Sequence, residues 1–481
     1  MAIDKSRRSL LKYSGLLGLQ KFVVPSSALL ASNLVSAATD NFKALVFINL
    51  AGGNDSFNMV APKEPGILRD NYESGRRSVA LNADLMKPVT ALNAPKIFNG
   101  VDYNGFGFHP NCGDMADMFN NQELAVISNA GNLVAPVTRT QYLNNSVALP
   151  PQLFSHSDQA RQLQSQPMLQ SQFGWGGKML EILTGVSGVN ISGSPVSPLI
   201  SLNGLNTFQT TESGLLNIYA MNPGKIPRII SNIRATADMY TTYMSTPTNH
   251  LMSRNYQERF FSATNAQVAL STVFDDADAS TVNYDEIFSN NNATSTNLGR
   301  QLQSVAKIIS GRETLNNDRT IFYVRLGGFD THKDLLSTQA SLMKQLNGAL
   351  KAFRDTLVEL NCFDNVTTLV SSEFGRTFAP NSTTNSAGTD HAWGGNFLVM
   401  GGAVNGGNFY GTYPDLRIGE ELDSDDRQGR GRWIPQTSVS QCGAVLANWF
   451  GVPEENLPEL FPNLANFDSP FSVNANLNFM A

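Results

Sequence analysis

Thr320-Ile321-Phe322-Tyr323-Val324-Arg325-Leu326, closed by Gly327-Gly328, opens the stretch that decides the fold. It is a near-continuous apolar run, as expected of a strand buried on both faces of a parallel sheet. Leu335, Leu342, Leu346, Leu350, Phe353, Leu357 and Leu360 then recur at helical spacing and predict one long amphipathic helix. Val366-Thr367-Thr368-Leu369-Val370 follows as a second strand. Strand, helix and strand over residues 320–371 make a βαβ unit, which places the sequence in the α/β class with a doubly wound, mostly parallel sheet.

Working outward, Lys43–Leu50, Glu123–Ser128 and Asn396–Met400 read as further strands, and Ser438–Phe450 as a helix stopped by Gly451 and Pro453. Residues 186 to about 294 break this rhythm. They are rich in Asn, Ser and Thr, look helical around Ile226–Phe274, and read as a helical or irregular insertion in a single domain spanning 39–481. Ser280–Asn297 looks like a flexible connection.

The composition excludes some functions. Hydrophobic residues make up 41%, enough for a packed core, whereas charged residues are only 15% against roughly 25% in an average soluble domain. Thirty-four basic and forty acidic residues give a net charge of −6. No basic run follows an aromatic ladder, so nucleic acid is not an expected partner. Cys112, Cys362 and Cys442 are far apart and odd in number; they read as three buried thiols, with one disulfide pair in an oxidising compartment as the alternative.

Residues 1–38 read as an address. Ser6-Arg7-Arg8-Ser9-Leu10-Leu11-Lys12 precedes an apolar stretch interrupted by Gln20, Lys21 and Pro25, and Val35-Ser36-Ala37-Ala38 supplies a cleavage site. The pattern resembles a twin-arginine (Tat) export signal, with Leu10 where Phe is usual, and implies a partner in the Tat machinery and a periplasmic or secreted product. No later segment is long and apolar enough to anchor the mature chain in a bilayer.

The candidate chemistry sits at strand ends, where ligands bind in open α/β sheets. Asp55 follows the first strand, Asp330 and His332 the third, and Glu373 the strand at 366–370. Asp390-His391 lies just before 396–400. Carboxylate oxygens and imidazole nitrogens are the ligand mix for zinc, manganese or iron. His109 and His156 occur in turn-rich contexts and are auxiliary candidates, with Asp390. Each histidine by itself is equally compatible with a structural place. Arg427, Arg430 and Arg432 read as a solvated loop, and Gly174-Trp175-Gly176-Gly177 as a pocket wall or a tight packing site.

Ala51-Gly52-Gly53-Asn54-Asp55, Gly327-Gly328-Phe329-Asp330-Thr331-His332, Ser372-Glu373-Phe374-Gly375-Arg376-Thr377 and Gly388-Thr389-Asp390-His391 occur in that order. With the twin-arginine start and Gly431-Arg432-Trp433-Ile434-Pro435, they resemble the DUF1501 family of exported bacterial proteins, over roughly Lys43 to Pro453. That family is similar to the alkaline phosphatase and sulfatase superfamily of metal-dependent α/β hydrolases. The resemblance implies an alkaline phosphatase-like fold and one or two divalent metal ions, zinc or manganese, held by Asp55, Asp330, His332, Glu373 and His391. The chain departs from the pattern at Phe374, where a histidine ligand would fall, and at the tight Asp330-x-His332 spacing.

The same resemblance puts a nucleophile at a helix start, and Ser155 in Phe154-Ser155-His156-Ser157-Asp158-Gln159 is the candidate. Ser155-x-x-Asp158 is also a capping box, which alone accounts for both residues. Arg376 has the chemistry to bind a phosphate or sulfate bidentately, or to pair with a structural carboxylate. Two functional classes follow. One is an exported metal-dependent hydrolase of small-molecule or polymer-borne phosphate or sulfate esters. The other is a non-catalytic descendant of the fold that serves as a binding or assembly factor for a surface polymer.

Overall fold

Strand β1 (Lys43–Ala51) lies near the centre of a nine-stranded sheet, paired in parallel on both sides and buried along almost its whole length. The computed structural model describes residues 41–168, 171–191, 193–226, 242, 244–425 and 429–481. The export-signal reading of 1–38 and Arg427 lie outside the described residues, as does most of 227–243. The remaining strands are β2 (Val60–Pro62), β3 (Lys87–Pro88), β4 (Phe106–Phe108), β5 (Leu124–Gly131), β6 (Leu199–Ser201), β7 (Tyr219–Ala220), β8 (Arg319–Gly327), β9 (Val366–Ser371), β10 (Gly395–Met400), β11 (Phe409–Gly411) and β12 (Thr437–Ser438). The large sheet runs β11-β5-β10-β9-β1-β8-β6-β7, with β12 on β5, and β2, β3 and β4 form a small antiparallel sheet.

Helices cover both faces of the large sheet. Those that matter below are α1 (Ile67–Arg76), α2 (His156–Gln164), α3 (Trp175–Leu183), α4 (Leu251–Ala279), α5 (Tyr284–Asn290), α6 (Asn297–Ser310), α7 (Leu335–Glu359) and α8 (Val439–Phe450). Successive side chains of a strand point to opposite faces, so each central strand feeds two cores. Ala44, Val46, Ile48 and Leu50 of β1 pack with α6 and the Leu342–Leu357 stripe of α7. Leu45 and Phe47 pack with Trp175, Met179 and Leu180 of α3 and with Val445 and Leu446 of α8. The βαβ unit read at 320–371 is therefore present as β8, α7 and β9. Helix α8 starts at a capping box on Ser438 and ends at Gly451 in the left-handed region (φ 117°).

Two observations differ from, or add to, the sequence reading. Ser280–Asn297 is not a loose connection, because it contains α5. Asn283 caps that helix by accepting from Glu286 N–H, and Tyr284 and Phe288 bury themselves in the core. Residues 186–294 also contribute β6 and β7 to the sheet edge, parallel to β8. In α4 the buried side chains, Phe260 to Ala277, belong to its later turns. The three cysteines are free and buried.

One topological feature positions the site. Every pairing in the large sheet is parallel except those of β10, which is antiparallel to β5 and β9. The segment preceding β10 therefore emerges at the same edge as the segments following β1, β8 and β9.

Phe47 is fully buried, with its ring 4.7 Å from Phe208 and 5.7 Å from Tyr323, both edge-on. Phe47→Ala removes a ring that surrounding helices cannot replace, and is expected to cost about 3–5 kcal/mol of stability in urea denaturation.

Candidate metal centre

Four chain segments deliver side chains to one sheet edge. The loop after β8 brings Asp330 and His332, the loop after β9 brings Glu373 and Arg376, the segment before β10 brings Asp390 and His391, and α2 opens with His156. The loop after β1 passes close beneath them. Gly52 sits at φ 119°, and a Cβ there would lie 2.4 Å from the Asp330 backbone nitrogen, so only glycine permits this approach.

The focus is Asp330 Oδ1. It lies 3.0 Å from His332 Nε2, 3.3 Å from His391 Nε2 and 3.4 Å from His156 Nε2, and it accepts from Arg376 Nη1 at 2.8 Å. His332 Nε2 and His391 Nε2 are 3.1 Å apart. His156, Asp330 and His391 each offer a ligand atom within 4.8 Å of the others. Ligands at about 2.0–2.1 Å from one tetrahedral ion stand about 3.3 Å from each other, which is close to the distance of Asp330 Oδ1 from each imidazole nitrogen.

The tautomers follow from the partners behind each ring. His391 Nδ1 faces the Phe154 carbonyl at 2.8 Å, His156 Nδ1 faces Glu373 Oε1 at 2.9 Å and His332 Nδ1 faces Asp390 Oδ1 at 2.9 Å. A carbonyl and two carboxylates can only accept, so each Nδ1 carries a proton, and in a neutral ring Nε2 turns its lone pair toward the cluster. A metal cation, or a proton on an imidazole, offsets the repulsion among these lone pairs and the carboxylate oxygen. His156 Nε2 is shielded from solvent and makes no hydrogen bond among the described residues. This pattern, a ligand nitrogen in front and an oriented acceptor behind, is the arrangement of metal-binding histidines.

The charges around the cluster shift its groups in different directions. Burial opposes ionisation of Asp330, but the Arg376 hydrogen bond and charge, with His332 and His156, outweigh it and hold the carboxyl below its ordinary value. Burial likewise works against Asp390, yet hydrogen bonds from His332 and Asn381 and the charge of Arg430 keep it low. Burial lowers the pKa of His391. The Glu373 hydrogen bond raises that of His156 against burial.

The DUF1501 family model, described as a protein of unknown function, matches residues 42–423, a span that contains all four candidate ligands. The chain belongs to the DUF1501 family. No curated protein matches it.

In this DUF1501 protein the expected site residues separate into layers. Asp330, His332 and His391 come together with His156, which the sequence offered only as an auxiliary. Glu373 stands one layer back: its carboxylate accepts from His156, from Gly52 N–H at 2.8 Å and from Ser372 Oγ at 3.2 Å. Asp390 is also in that layer, between His332 and Arg430, whose Nη1 lies 2.6 Å from Asp390 Oδ2. Arg430 also pairs with Asp425, so it is not part of a solvated basic loop.

Asp55 is deeper still. It is buried and ion-paired with the equally buried Arg76 at 2.7 Å. Arg376 is fully buried and committed to Asp330, Gly52 O, Thr389 Oγ1 and Thr389 O, so it positions Asp330 rather than presenting a fork to an anion. Ser155 occupies the N-cap of α2 but makes no capping bond; its hydroxyl donates to Asp158 Oδ2 at 2.6 Å. His109 lies beyond β4, where its Nδ1 accepts from Asn111 N–H, and it takes no part in the cluster. Gly174, Gly176 and Gly177 serve packing, since Cβ atoms there would strike Thr207 O, the Phe208 ring and Thr210 O.

Two contributors carried no sequence signal. Phe154 adopts φ 71°, a strained conformation for a non-glycine residue, and so aims its carbonyl at His391. Arg76 reaches Asp55 from the last turn of α1.

Asp55→Ala leaves Arg76 buried without a counter-charge and is expected to destabilise the protein by about 3–5 kcal/mol in chemical denaturation. Glu373→Gln keeps the shape but removes the charge behind His156. Its affinity for zinc or manganese, measured by titration, is expected to fall about 10–100-fold.

Proposed function

We propose that this DUF1501 protein is an exported, metal-dependent hydrolase of phosphate or sulfate esters, built on an alkaline phosphatase-like sheet. The observation that carries the reading is the convergence of His156 Nε2, His391 Nε2 and Asp330 Oδ1, with His332 Nε2 beside Asp330 and His391, each oriented from behind by its own partner. A divalent ion in that position, zinc or manganese, supplies Lewis acidity toward an ester oxygen.

The chain's own residues have definable tasks in this reaction. Ser155 precedes the ligand His156 and is the nucleophile. As its oxygen attacks phosphorus or sulfur, Asp158, already accepting its hydroxyl at 2.6 Å, takes the proton and passes it to the ester oxygen, which leaves as the alcohol. Water then cleaves the phospho- or sulfo-serine to free Ser155. The first turn of α2 favours an approaching anion through its N–H groups and dipole. Arg376 and the three acceptors behind the imidazoles hold the ligand atoms in place. The substrate is a small-molecule or polymer-borne ester, and the acidic balance of the chain argues against nucleic acid. Ser6–Lys12 with its apolar stretch supports export by the Tat machinery to the periplasm or beyond. No helix among the described residues is long and apolar enough to cross a membrane.

A second reading, a non-catalytic binding or assembly factor for a surface polymer, is favoured by one observation. The Arg376 guanidinium is spent on protein acceptors and presents nothing to a substrate anion. Metal analysis and an ester panel separate the two. The hydrolase is expected to retain a divalent metal after desalting and to turn over an aryl phosphate or sulfate. Chelation or His391→Ala should abolish that turnover, and Ser155→Ala should lower it at least ~10²-fold. Metal-free folded protein sinks the hydrolase, and bound metal without turnover across the panel selects the second reading. Undiminished turnover in Ser155→Ala removes that residue from the mechanism.

A further inference from the structure

We infer that the centre accommodates one metal ion rather than two, because a buried guanidinium and a phenyl ring already fill the place of the second. The inference rests on the metal-binding reading above and concerns Asp55, which the family resemblance assigns to a metal.

Asp55 is 1% exposed and its Oδ2 lies 2.7 Å from Arg76 Nη2. Arg76 is itself fully buried and fixed on every side. Its Nε donates to Asn58 Oδ1 at 3.1 Å, its Nη1 to Phe378 O at 2.8 Å, and its guanidinium lies 5.4 Å from the centroid of the Phe378 ring. It is also the last residue of α1, where the helix dipole favours a cation. The Asp55 carboxylate therefore already has an immobile positive counter-charge on Oδ2, and only its buried Oδ1 is without a hydrogen-bond partner among the described residues. In a solvent-free interior a dication beside that guanidinium is strongly repelled, and displacing the carboxylate from it strands the guanidinium without a counter-charge.

The space is occupied as well. Phe374 stands where the resemblance expects an imidazole, with its ring centroid 4.8 Å from His156 and 4.9 Å from His391. Its far edge packs on the backbone of Gly53, where a Cβ would lie 2.4 Å from the ring. The ring thus fills the space between the two imidazoles and Gly53, and the polar link from the cluster to Asp55 runs through Arg376 and Thr389, whose Oγ1 donates to Asp55 Oδ2 at 3.4 Å. Glu373, the other carboxylate on this side, is engaged by His156, Gly52 and Ser372.

The test is metal stoichiometry together with the spectrum of the bound ion. Chelator-stripped full-length protein is reloaded with Mn2+, desalted, analysed for metal and protein, and examined by electron paramagnetic resonance. One Mn2+ per chain with the six-line signal of an isolated ion is expected. Two per chain with an exchange-coupled signal overturns the inference while leaving the hydrolase reading intact. No retained Mn2+, and none with Zn2+, overturns the metal reading on which the inference rests. Phe374→His restores an imidazole but keeps Arg76, and is expected still to bind one ion. A second ion in that variant would show that Arg76 does not close the site.

Discussion

A single carboxylate oxygen organises this protein's candidate site. Asp330 Oδ1 stands within 3.4 Å of three imidazole nitrogens and accepts a hydrogen bond from a buried guanidinium. Holding it there requires four separated segments to meet within hydrogen-bonding distance. Gly52 permits one crossing by lacking a side chain, and Arg376 ties Asp330 to Gly52 and Thr389 at once. The one antiparallel strand of the large sheet, β10, brings Asp390 and His391 to the edge where the parallel strands end. Had that strand run with the others, both residues would lie at the opposite edge.

The charges beneath the centre form layers that close on themselves. Asp330 is balanced by Arg376 and Asp390 by Arg430, while Asp55 is balanced by Arg76 below them. A buried pair of this kind contributes little net stability, since desolvation offsets much of its attraction. Its effect is on specificity: each carboxylate stays aimed, and each imidazole keeps its Nε2 turned toward the cluster. The two apolar cores on either face of the sheet make the frame stiff enough for those distances to persist.

The sheet was largely legible because its strands are buried on both faces, and that burial demands continuous apolar runs whatever the neighbours are. The long helix α7 was legible from its heptad-like leucines. Helix α5 was missed because its polar surface dominates its composition; Asn283 and Glu286 were the available capping signal. Within the site, Asp330, His332 and His391 were legible because they adjoin strand ends. Asp55 and Glu373 were found for the same reason, but adjacency does not say whether a carboxylate faces the ligand space or stands behind it.

The sequence by itself determined the α/β class, the five adjacent strands β5, β10, β9, β1 and β8, the family and the edge on which chemistry collects, because these depend on local apolar periodicity and on short glycine-bounded motifs. Only the tertiary structure decided the direction of β10, the entry of His156 into the cluster and the pairing of Asp55 with Arg76, which lies 21 residues away. Those outcomes depend on which side chain first satisfies a buried charge. That competition is settled by distances between segments remote in the chain, and no local pattern encodes it.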